Sequence, residues 1–418
     1  MIYLDRRKQF MEKMDGGVAI FRAPEEMSER KYLPNKDFYY LTGFDEPNAV
    51  CLLTPEHKEH KFVLFVRPKD EERERWTGRR AGVEVAKQRF GADEAYPIDK
   101  LDEELPKYLS GIDKIYYRMD SDEVFNQKVV NLIKRHRPHT LIDTGEILHE
   151  MRLFKSGDEL DLMRKAAAIT EMAYREAMKT VKPGMYEYEV QAAIEYAFLK
   201  NGAVGPAYPT IVGVGANATI LHYTTNNCQI QDNALVLIDA AAEYQYYNAD
   251  VTRTIPGNGT FSDIQKAIYN IVLEAQLAAI EVVKPGNSLD DFHNKAVKVI
   301  TEGLIELGLL CGEVDKLIED EKYKKFYMHN TGHWLGMDSH DVGKRKVDGE
   351  ARIFEPGMVL TVEPGIYISK DTEDVPPEYW DIGIRIEDDV LVTEDGNEVL
   401  TAGIPKTVEE IERFMRER

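Results

Sequence analysis

Three histidines lie close together in the C-terminal half of the sequence. His329, His333 and His340 occur in H-N-T-G-H-W-L-G-M-D-S-H, four and seven residues apart, in a chain with ten histidines among 418 residues. Gly332 and Gly336 lie between them and would let other groups approach the backbone closely. Imidazole is the commonest metal ligand and carries protons near neutral pH. The spacing therefore predicts a functional cluster rather than scattered surface histidines, with His333 as a candidate ligand.

Four carboxylates are candidates for the same site. Asp239 follows the apolar run 235–238, and Asp250 comes eleven residues later, after a polar segment typical of a hairpin; Glu363 and Glu387 hold equivalent places further along the chain. Four carboxylates in one site raise one another's pKa values unless cations balance them. Two divalent ions would supply that balance. A site with four carboxylates and one imidazole suits Mn²⁺, and Co²⁺ or Zn²⁺ could also bind.

Arg385 and Glu387 lie two residues apart in G-I-R-I-E-D-D-V. On a strand, both side chains would face the same side, so Arg385 could hold a carboxylate in bidentate fashion and orient the site. The alternative is a surface ion pair, which the flanking Ile384 and Ile386 disfavour. His222 stands alone in I-L-H-Y, and an isolated histidine is more often a core or surface residue than a functional one.

The elements that must position these residues are repeated. Capping-box patterns at 156–159 and 262–265 each begin a helix with apolar spacing, and V-K-P-G ends each helix at 181–184 and 283–286. A strand that ends in a carboxylate follows in both halves. We therefore predict a pseudo-symmetric α+β domain over residues 155–418.

The first 154 residues show a different pattern. Short apolar runs such as 18–21, 49–53, 62–66 and 115–117 alternate with helical spacing, which predicts an α/β domain over residues 1–154. The runs 49–53 and 62–66 flank a charged turn and should pair as a hairpin.

Composition excludes several classes of function. A net charge of −21 and a pI near 5.0 argue against nucleic acid as a partner. The sequence has no apolar run of membrane length, and charged residues occupy its first ten positions, so we predict a cytoplasmic protein without membrane association. Cys51, Cys228 and Cys311 are too few and too scattered for a disulfide framework or a thiolate zinc site. We expect all three to be buried thiols.

Taken in order, these motifs resemble a known family. L-I-D, D-V-T-R-T, G-H-W-L-G, V-E-P-G and G-I-R-I-E-D are similar to the motifs of the pita-bread metallopeptidases, which include methionine aminopeptidase, prolidase, aminopeptidase P and the metal-free creatinase. N-K-D-F-Y-Y-L-T-G and R-W-T-G-R-R in the N-terminal part, with Trp334 after His333, look most like the bacterial aminopeptidase P group. The resemblance implies a pita-bread catalytic domain with an internal pseudo-two-fold repeat, preceded by a creatinase-like α/β domain.

The resemblance also implies roles for individual residues. Asp239 and Asp250 would bind a first metal ion, His333 and Glu363 a second, and Glu387 with one of the aspartates would complete or bridge the pair. The family's other site positions fall on these residues: proton-handling His222 and His340, cleft-lining His329, and the buried arginine, Arg385. One departure is Asn248, where a small residue is usual; together with Tyr246 and Tyr247 it is expected to reshape the cleft without altering any ligand.

The implied reaction is removal of the first residue from peptides with proline in second position, by a hydroxide that two metal ions activate, with Glu363 accepting the proton of the water. Two alternatives remain open. A prolidase would use the same site on X-Pro dipeptides, and a non-catalytic protein of the same fold would only bind peptides. The family likeness also suggests a homo-oligomer, a dimer or tetramer, with Trp76 at a subunit contact.

Overall fold

The computed structural model describes residues 2–25, 32–119 and 122–417. The chain divides into two compact units, Met1–Met151 and Arg152–Arg418. Within the described residues, no helix is both long and apolar enough to cross a membrane.

The first unit is a mixed sheet with helices, as the alternating pattern predicted. The helices that begin in it are α1 (Ile2–Lys13), α2 (Lys36–Thr42), α3 (Glu71–Thr77), α4 (Gly82–Gln88), α5 (Leu101–Tyr108), α6 (Glu123–His136) and α7 (Gly145–Leu153). Its strands are β1 (Val18–Ala23), β2 (Ala49–Leu53), β3 (Phe62–Val66), β4 (Glu94–Pro97), β5 (Lys114–Tyr117) and β6 (Thr140–Ile142).

These six strands form one sheet in the order β4-β3-β2-β1-β5-β6. The expected hairpin is confirmed, since β2 and β3 pair antiparallel with Leu53 opposite Phe62. Every residue of β2 and β3 is buried, which fits continuous apolar runs covered on both faces.

The second unit contains two pairs of long helices. Its helices are α8 (Gly157–Thr180), α9 (Glu187–Lys200), α10 (Asp263–Val282), α11 (Leu289–Glu306), α12 (Val314–Glu319) and α13 (Val408–Arg416). Both predicted capping boxes are present, with Ser156 and Glu159 at the start of α8 and Ser262 and Gln265 at the start of α10. Helix α8 packs against α9 and α10 against α11, and each V-K-P-G segment follows the end of a helix, as predicted.

The strands of the second unit are short and form several small sheets. They are β7 (Gly205–Pro206), β8 (Ile211–Val214), β9 (Leu235–Asp239), β10 (Ala242–Tyr244), β11 (Tyr247–Asn248), β12 (Thr252–Pro256), β13 (Lys346–Val347), β14 (Glu350–Ala351), β15 (Val359–Val362), β16 (Gly365–Ile368), β17 (Ile382–Arg385), β18 (Asp388–Val392) and β19 (Asn397–Val399). The main groups are β12-β9-β8, β15-β18-β19 and β16-β17.

The two halves of this unit use the same layout. The hairpin of β10 and β11 returns the chain so that β12 pairs with β9, with Thr252 opposite Asp239. In the second half, β15 pairs with β18 in the same antiparallel manner. One extensive core of apolar side chains connects the helices to these strands. The repeated pattern of helix, V-K-P-G segment and strand in the sequence therefore corresponds to a repeated structure.

The expectation for the cysteines was partly wrong. Cys51 is buried, but Cys228 and Cys311 are exposed. Cys51 lies in a continuously apolar strand, whereas Cys228 follows two asparagines in a loop and Cys311 follows Leu309 and Leu310 in another. Residue type alone therefore gave the wrong prediction for the two cysteines that lie in loops.

Candidate active site

A cavity of about 650 Å³ opens in the second unit. All nine residues singled out in the sequence line it. They are His222, Asp239, Asp250, His329, His333, His340, Glu363, Arg385 and Glu387. The structure thus brings together candidates that lie as far as 165 residues apart in the sequence, from position 222 to position 387.

Strand ends position the carboxylates. Asp239 is the last residue of β9 and Asp250 lies just before β12, while Glu363 follows β15 and Glu387 lies between β17 and β18. The two halves are joined directly at this point, because the Glu387 N–H donates to the carbonyl oxygen of Thr252 at 3.0 Å. Residues at the ends of paired strands from both halves therefore face one cavity.

The loop that carries His333 is held against β15. The His333 N–H donates to Thr361 Oγ1 at 3.1 Å, and the Thr361 N–H donates to the carbonyl oxygen of His333 at 2.9 Å. A Cβ atom on Gly332 would overlap the carbonyl oxygen of Thr361. The close backbone approach predicted for Gly332 is thus present, and it brings the imidazole alongside the carboxylates.

His333 presents one ring nitrogen to the acids. Its Nδ1 lies 3.0 Å from the carbonyl oxygen of Trp334, an acceptor that fixes the proton on Nδ1 and leaves the lone pair on Nε2. His333 Nε2 lies 3.6 Å from Asp250 Oδ2 and 3.6 Å from Glu363 Oε1. Asp250, His333 and Glu387 each offer a ligand atom within 4.8 Å of the others.

Arg385 supports Asp239, but not in the predicted bidentate manner. Its Nη2 donates to Asp239 Oδ2 at 2.6 Å, its Nε to Thr252 Oγ1 at 3.0 Å and its Nη1 to the Tyr367 hydroxyl at 3.0 Å. The guanidinium is buried and divides its donors among three partners, because only one oxygen of Asp239 faces it. The alternative of a surface ion pair is excluded by this burial.

Burial and mutual repulsion disturb the titration of the acids. Burial, followed by the negative charges of Asp239 and Asp389, raises the pKa of Asp250 well above its usual value. Burial, followed by Asp250 and Glu363, does the same to the pKa of Glu387. Burial also raises the pKa of Glu363 to about 8. The protein's own cations do not balance these carboxylates.

The pKa values of the histidines shift in the opposite direction. Burial lowers the pKa of His329 to about 3 and the pKa of His333 to about 4, and it also lowers the pKa of His340. Neutral imidazole is the form that binds metal ions and accepts protons. The rings of His333 and His340 lie 4.1 Å apart, and His329 Nε2 lies 2.9 Å from the Tyr367 hydroxyl.

The donor set fits divalent cations. Asp239 Oδ1 is buried and, among the described residues, has no hydrogen-bond partner, although a buried carboxylate oxygen ordinarily has one. It belongs to the same cavity as the Asp250, His333 and Glu387 cluster. Oxygen-rich sites with one imidazole suit hard or borderline metal ions, and their positive charge would offset the acids.

Several residues in and around the site were not identified from the sequence. The Thr252 hydroxyl donates to Glu387 Oε2 at 2.7 Å, and the Asp389 carboxylate accepts from the Asp250 N–H at 3.1 Å. Thr252 and Asp389 lie inside the D-V-T-R-T and R-I-E-D-D segments, so their position in those motifs was an available signal. Tyr208 and Arg345 also line the cavity, and nothing in their local sequence marks them.

Asn248 and its neighbours do not themselves line the cleft that they were expected to reshape, within the part of the chain that the structure describes. Asn248, Tyr246 and Tyr247 are absent from the cavity lining that the described residues form. Asn248 Nδ2 donates to the carbonyl oxygen of Met337 at 3.1 Å, and the Tyr247 hydroxyl donates to Glu159 Oε1 at 2.9 Å. The two side chains thus bind neighbouring elements, and the partner of Asn248 lies on the loop between His333 and His340.

Comparison with known proteins agrees with this geometry. The family model described as metallopeptidase family M24 matches residues 161–394, and that of the aminopeptidase P N-terminal domain matches residues 3–116. The chain is 45% identical to the Xaa-Pro aminopeptidase of Escherichia coli (strain K12), over 98% of this chain and 96% of the relative. It is 46% identical to that of Haemophilus influenzae, over 90% and 87%.

Solved structures of aminopeptidases P have the same fold as this chain. The aminopeptidase PepP of Pseudomonas aeruginosa superimposes with a TM-score of 0.97 at 46% identity, covering 100% of this chain and 99% of the other. A variant of Escherichia coli aminopeptidase P in complex with substrate gives 0.96 at 42% identity, with 100% and 99% covered. The chain therefore belongs to metallopeptidase family M24, within its aminopeptidase P group. The predicted pita-bread fold with a preceding α/β domain is confirmed.

Proposed function

We propose that this metalloaminopeptidase removes the N-terminal residue from peptides whose second residue is proline. Relatives named Xaa-Pro aminopeptidase match nearly the whole chain, and an aminopeptidase P of the same fold is known in complex with substrate. The observation that carries the proposal is the convergence of Asp239, Asp250, His333, Glu363 and Glu387 in one cavity.

These five residues would hold two divalent cations, with Mn²⁺ as the first candidate and Co²⁺ or Zn²⁺ as alternatives. Asp239 and Asp250 would serve the first ion, His333 and Glu363 the second, and Glu387 would complete the pair. The unpaired Asp239 Oδ1 supports this assignment. Such ions lower the pKa of a water molecule and polarise the scissile carbonyl group.

The remaining cavity residues would move protons and orient groups. Glu363, buried and facing His333 Nε2 at 3.6 Å, would accept the proton of the attacking water. His340 and His222 would stabilise the oxyanion or protonate the leaving nitrogen. Arg385 would hold Asp239 in place, and His329 would line the cleft beside Tyr367.

Proline in second position calls for such an arrangement. The X-Pro bond is a tertiary amide without an N–H, so a peptidase that binds its substrate as an extended strand loses one hydrogen bond there. The proline nitrogen leaves only when it is protonated, so an acid placed at the cavity wall matters. His222 and His340 meet that need from two separate loops.

The test compares two substrates. The Mn²⁺-loaded protein is incubated with an X-Pro dipeptide and with the matching X-Pro-Y tripeptide, and release of the free first residue is measured. We expect the tripeptide to be cleaved faster. Cleavage of the dipeptide alone would indicate a prolidase, and inactivity on both would favour a peptide-binding protein without catalysis.

Other predictions from the sequence stay predictions. They are a domain boundary between residues 154 and 155, cytoplasmic residence, no binding to nucleic acid or membranes, and a homo-oligomer, a dimer or tetramer. Trp76, the proposed subunit contact, is 86% exposed in the single chain. Size-exclusion chromatography with light scattering of wild type and Trp76→Ala tests the last of these.

A further inference from the structure

The cavity wall that carries His222 is a loop with little regular structure. Between β8 and residue 228 the chain contains one 3-10 turn, Gly215–Thr219, and most side chains from 222 to 228 are exposed. Leu221, His222 and Thr224 of this segment line the cavity. An exposed loop places a side chain reproducibly only where other groups anchor it.

A buried carboxylate outside the ligand set anchors both ends of this loop. Glu187, the first residue of α9, is fully buried. Its Oε1 accepts hydrogen bonds from the Val214 N–H at 2.8 Å and from Asn217 Nδ2 at 3.0 Å. Its Oε2 accepts from the Tyr223 hydroxyl at 2.9 Å and from the Cys228 N–H at 2.8 Å.

These four donors span the whole segment from 214 to 228. Tyr223 directly follows His222, so the bond to its hydroxyl fixes the backbone next to the imidazole. The Glu187 N–H also donates to the carbonyl oxygen of Cys228 at 2.9 Å, which ties helix and loop together a second time. A buried carboxylate needs such partners, and here every donor of the set comes from the His222 loop.

We propose that Glu187 is a positioning residue for His222: its carboxylate holds both ends of the 214–228 loop and so sets where the imidazole faces the cavity. The inference rests on the role proposed above for His222. The ionised carboxylate suits this task because it has two oxygens, accepts four hydrogen bonds and donates none. Glutamine has the same shape but replaces one oxygen with an NH₂ group, which would oppose two of the four donors.

Asn226 is a second anchor of the same loop. Its Oδ1 accepts from the Val212 N–H at 3.0 Å, and its Nδ2 donates to the carbonyl oxygen of Thr210 at 2.8 Å. Loss of Glu187 alone should therefore loosen the loop without detaching it. For that reason we expect a graded loss of activity rather than unfolding.

The experiment is a double-mutant cycle on the metal-loaded full chain. kcat and KM for an X-Pro-Y tripeptide are measured for wild type, Glu187→Gln, His222→Ala and the double variant. We expect kcat/KM to fall about tenfold in Glu187→Gln and about a hundredfold in His222→Ala. The double variant should be no worse than His222→Ala alone, because Glu187 acts through His222.

Hydrogen exchange supplies a readout that does not depend on activity. Amide exchange in 214–228 should rise in Glu187→Gln relative to wild type. Ile194→Val, a core change in the same helix at a fully buried position, serves as the control for general destabilisation and should leave that exchange unchanged. Tyr223→Phe removes one of the four donors and should give a smaller change in the same direction, which keeps the test available if Glu187→Gln does not fold.

The outcomes separate the two proposals. Multiplicative losses in the double variant would overturn action through His222, and unchanged exchange in 214–228 would overturn the anchoring itself. Wild-type activity in His222→Ala would overturn the catalytic role of His222 and the link from Glu187 to turnover, while exchange would still report on the anchor. A wild-type protein inactive on all X-Pro peptides would instead contradict the proposed function.

Discussion

Glu387 and Asp388 are consecutive and both buried, yet they belong to two clusters of opposite electrostatic character. Asp388 accepts from Arg253 Nη2 at 2.7 Å and from Lys406 Nζ at 2.8 Å. Although burial opposes it, these two cations hold the pKa of Asp388 below its usual value. Glu387 instead faces Asp250 and Glu363, and its pKa is raised.

The difference shows which cluster is complete by itself. Gln276 Nε2 and the Thr401 hydroxyl fill the remaining acceptor positions of Asp388, at 2.8 and 2.7 Å. In the cavity, four carboxylates share one buried arginine, Arg385, and Asp239 Oδ1 has no hydrogen-bond partner among the described residues. The first cluster is a structural ion network, whereas the second needs positive charge from outside the chain.

The largest expected effect tests the cavity cluster of Asp239, Asp250, Glu363 and Glu387, which the protein's own cations do not balance. Glu363→Gln keeps the volume of the side chain but removes its charge and its ability to accept a proton. We expect kcat/KM on an X-Pro-Y tripeptide to fall by about a thousandfold or more, together with a loss of bound metal in elemental analysis. The matched control is Glu355→Gln, at a half-exposed glutamate that binds Arg352 at 3.1 Å. This variant should keep both its activity and its bound metal. Full activity in Glu363→Gln would refute the role of Glu363.

The next effect tests the cluster around Asp388, whose charge Arg253 and Lys406 balance. Arg253→Ala would leave the Asp388 carboxylate buried with one of its two cations missing. We expect a loss of about 3–5 kcal/mol in the free energy of unfolding, measured by urea denaturation. Lys266→Ala removes a partly exposed ion pair with Glu412 and should cost about 1 kcal/mol or less. Equal losses in the two variants would contradict the distinction between the clusters.

Metal removal should affect stability in a pH-dependent way. In metal-free protein the raised pKa values of Glu363, Glu387 and Asp250 mean that the folded state holds protons that the unfolded chain releases. Stability should therefore fall as pH rises from the ordinary carboxyl range towards about 8, the pKa of Glu363. Bound metal ions remove this loss, and at a hundred times Kd they add about 2.7 kcal/mol.

Thermal unfolding midpoints with and without Mn²⁺, taken between pH 5 and pH 8, check this prediction. The gap between the two should widen with pH, because metal ions bind the deprotonated ligands. The contribution of Asp388 to stability has the opposite pH dependence. Because its pKa is lowered in the folded state, its contribution is present at neutral pH and is lost in acid. A gap that stays constant with pH would count against the carboxylates as the ligands.

The smallest expected effect concerns Arg385. Arg385→Lys keeps the positive charge beside Asp239 but cannot also reach Thr252 and Tyr367. We expect about a tenfold loss in kcat/KM with little loss of metal, because the charge balance is unchanged. Arg345→Lys, a charge-conserving change at the exposed arginine of the same cavity, provides the comparison. An equal loss in both would mean that fixed geometry at Asp239 is unimportant.

Features that depend on neighbouring residues could be predicted from the sequence. The capping boxes at Ser156 and Ser262, the hairpin before Asp250 and the apolar strands each require groups only a few positions apart. The nine candidate residues could be selected because their types are chemically distinctive and occur in recognisable motifs. His222 was the weakest case, since only the resemblance to a family gave it a role.

Other features could not be predicted because they depend on contacts between distant segments. Glu187 looks like any first-turn glutamate, yet it binds a loop as much as 41 positions away. The three partners of Arg385 replaced the expected bidentate pair because β9, β12 and β16 all approach its strand. The partners of Asn248 and Tyr247 could not be predicted for the same reason, since they lie on other elements.

The sequence by itself determined the candidate metal ligands and proton carriers, and it set the two related halves, because residue type and local spacing are written directly in it. The tertiary structure alone decided which acid is neutralised within the protein and which is left to an ion. That outcome depends on the charges that surround each carboxylate after folding, and consecutive residues such as Glu387 and Asp388 face different surroundings on the two sides of the chain.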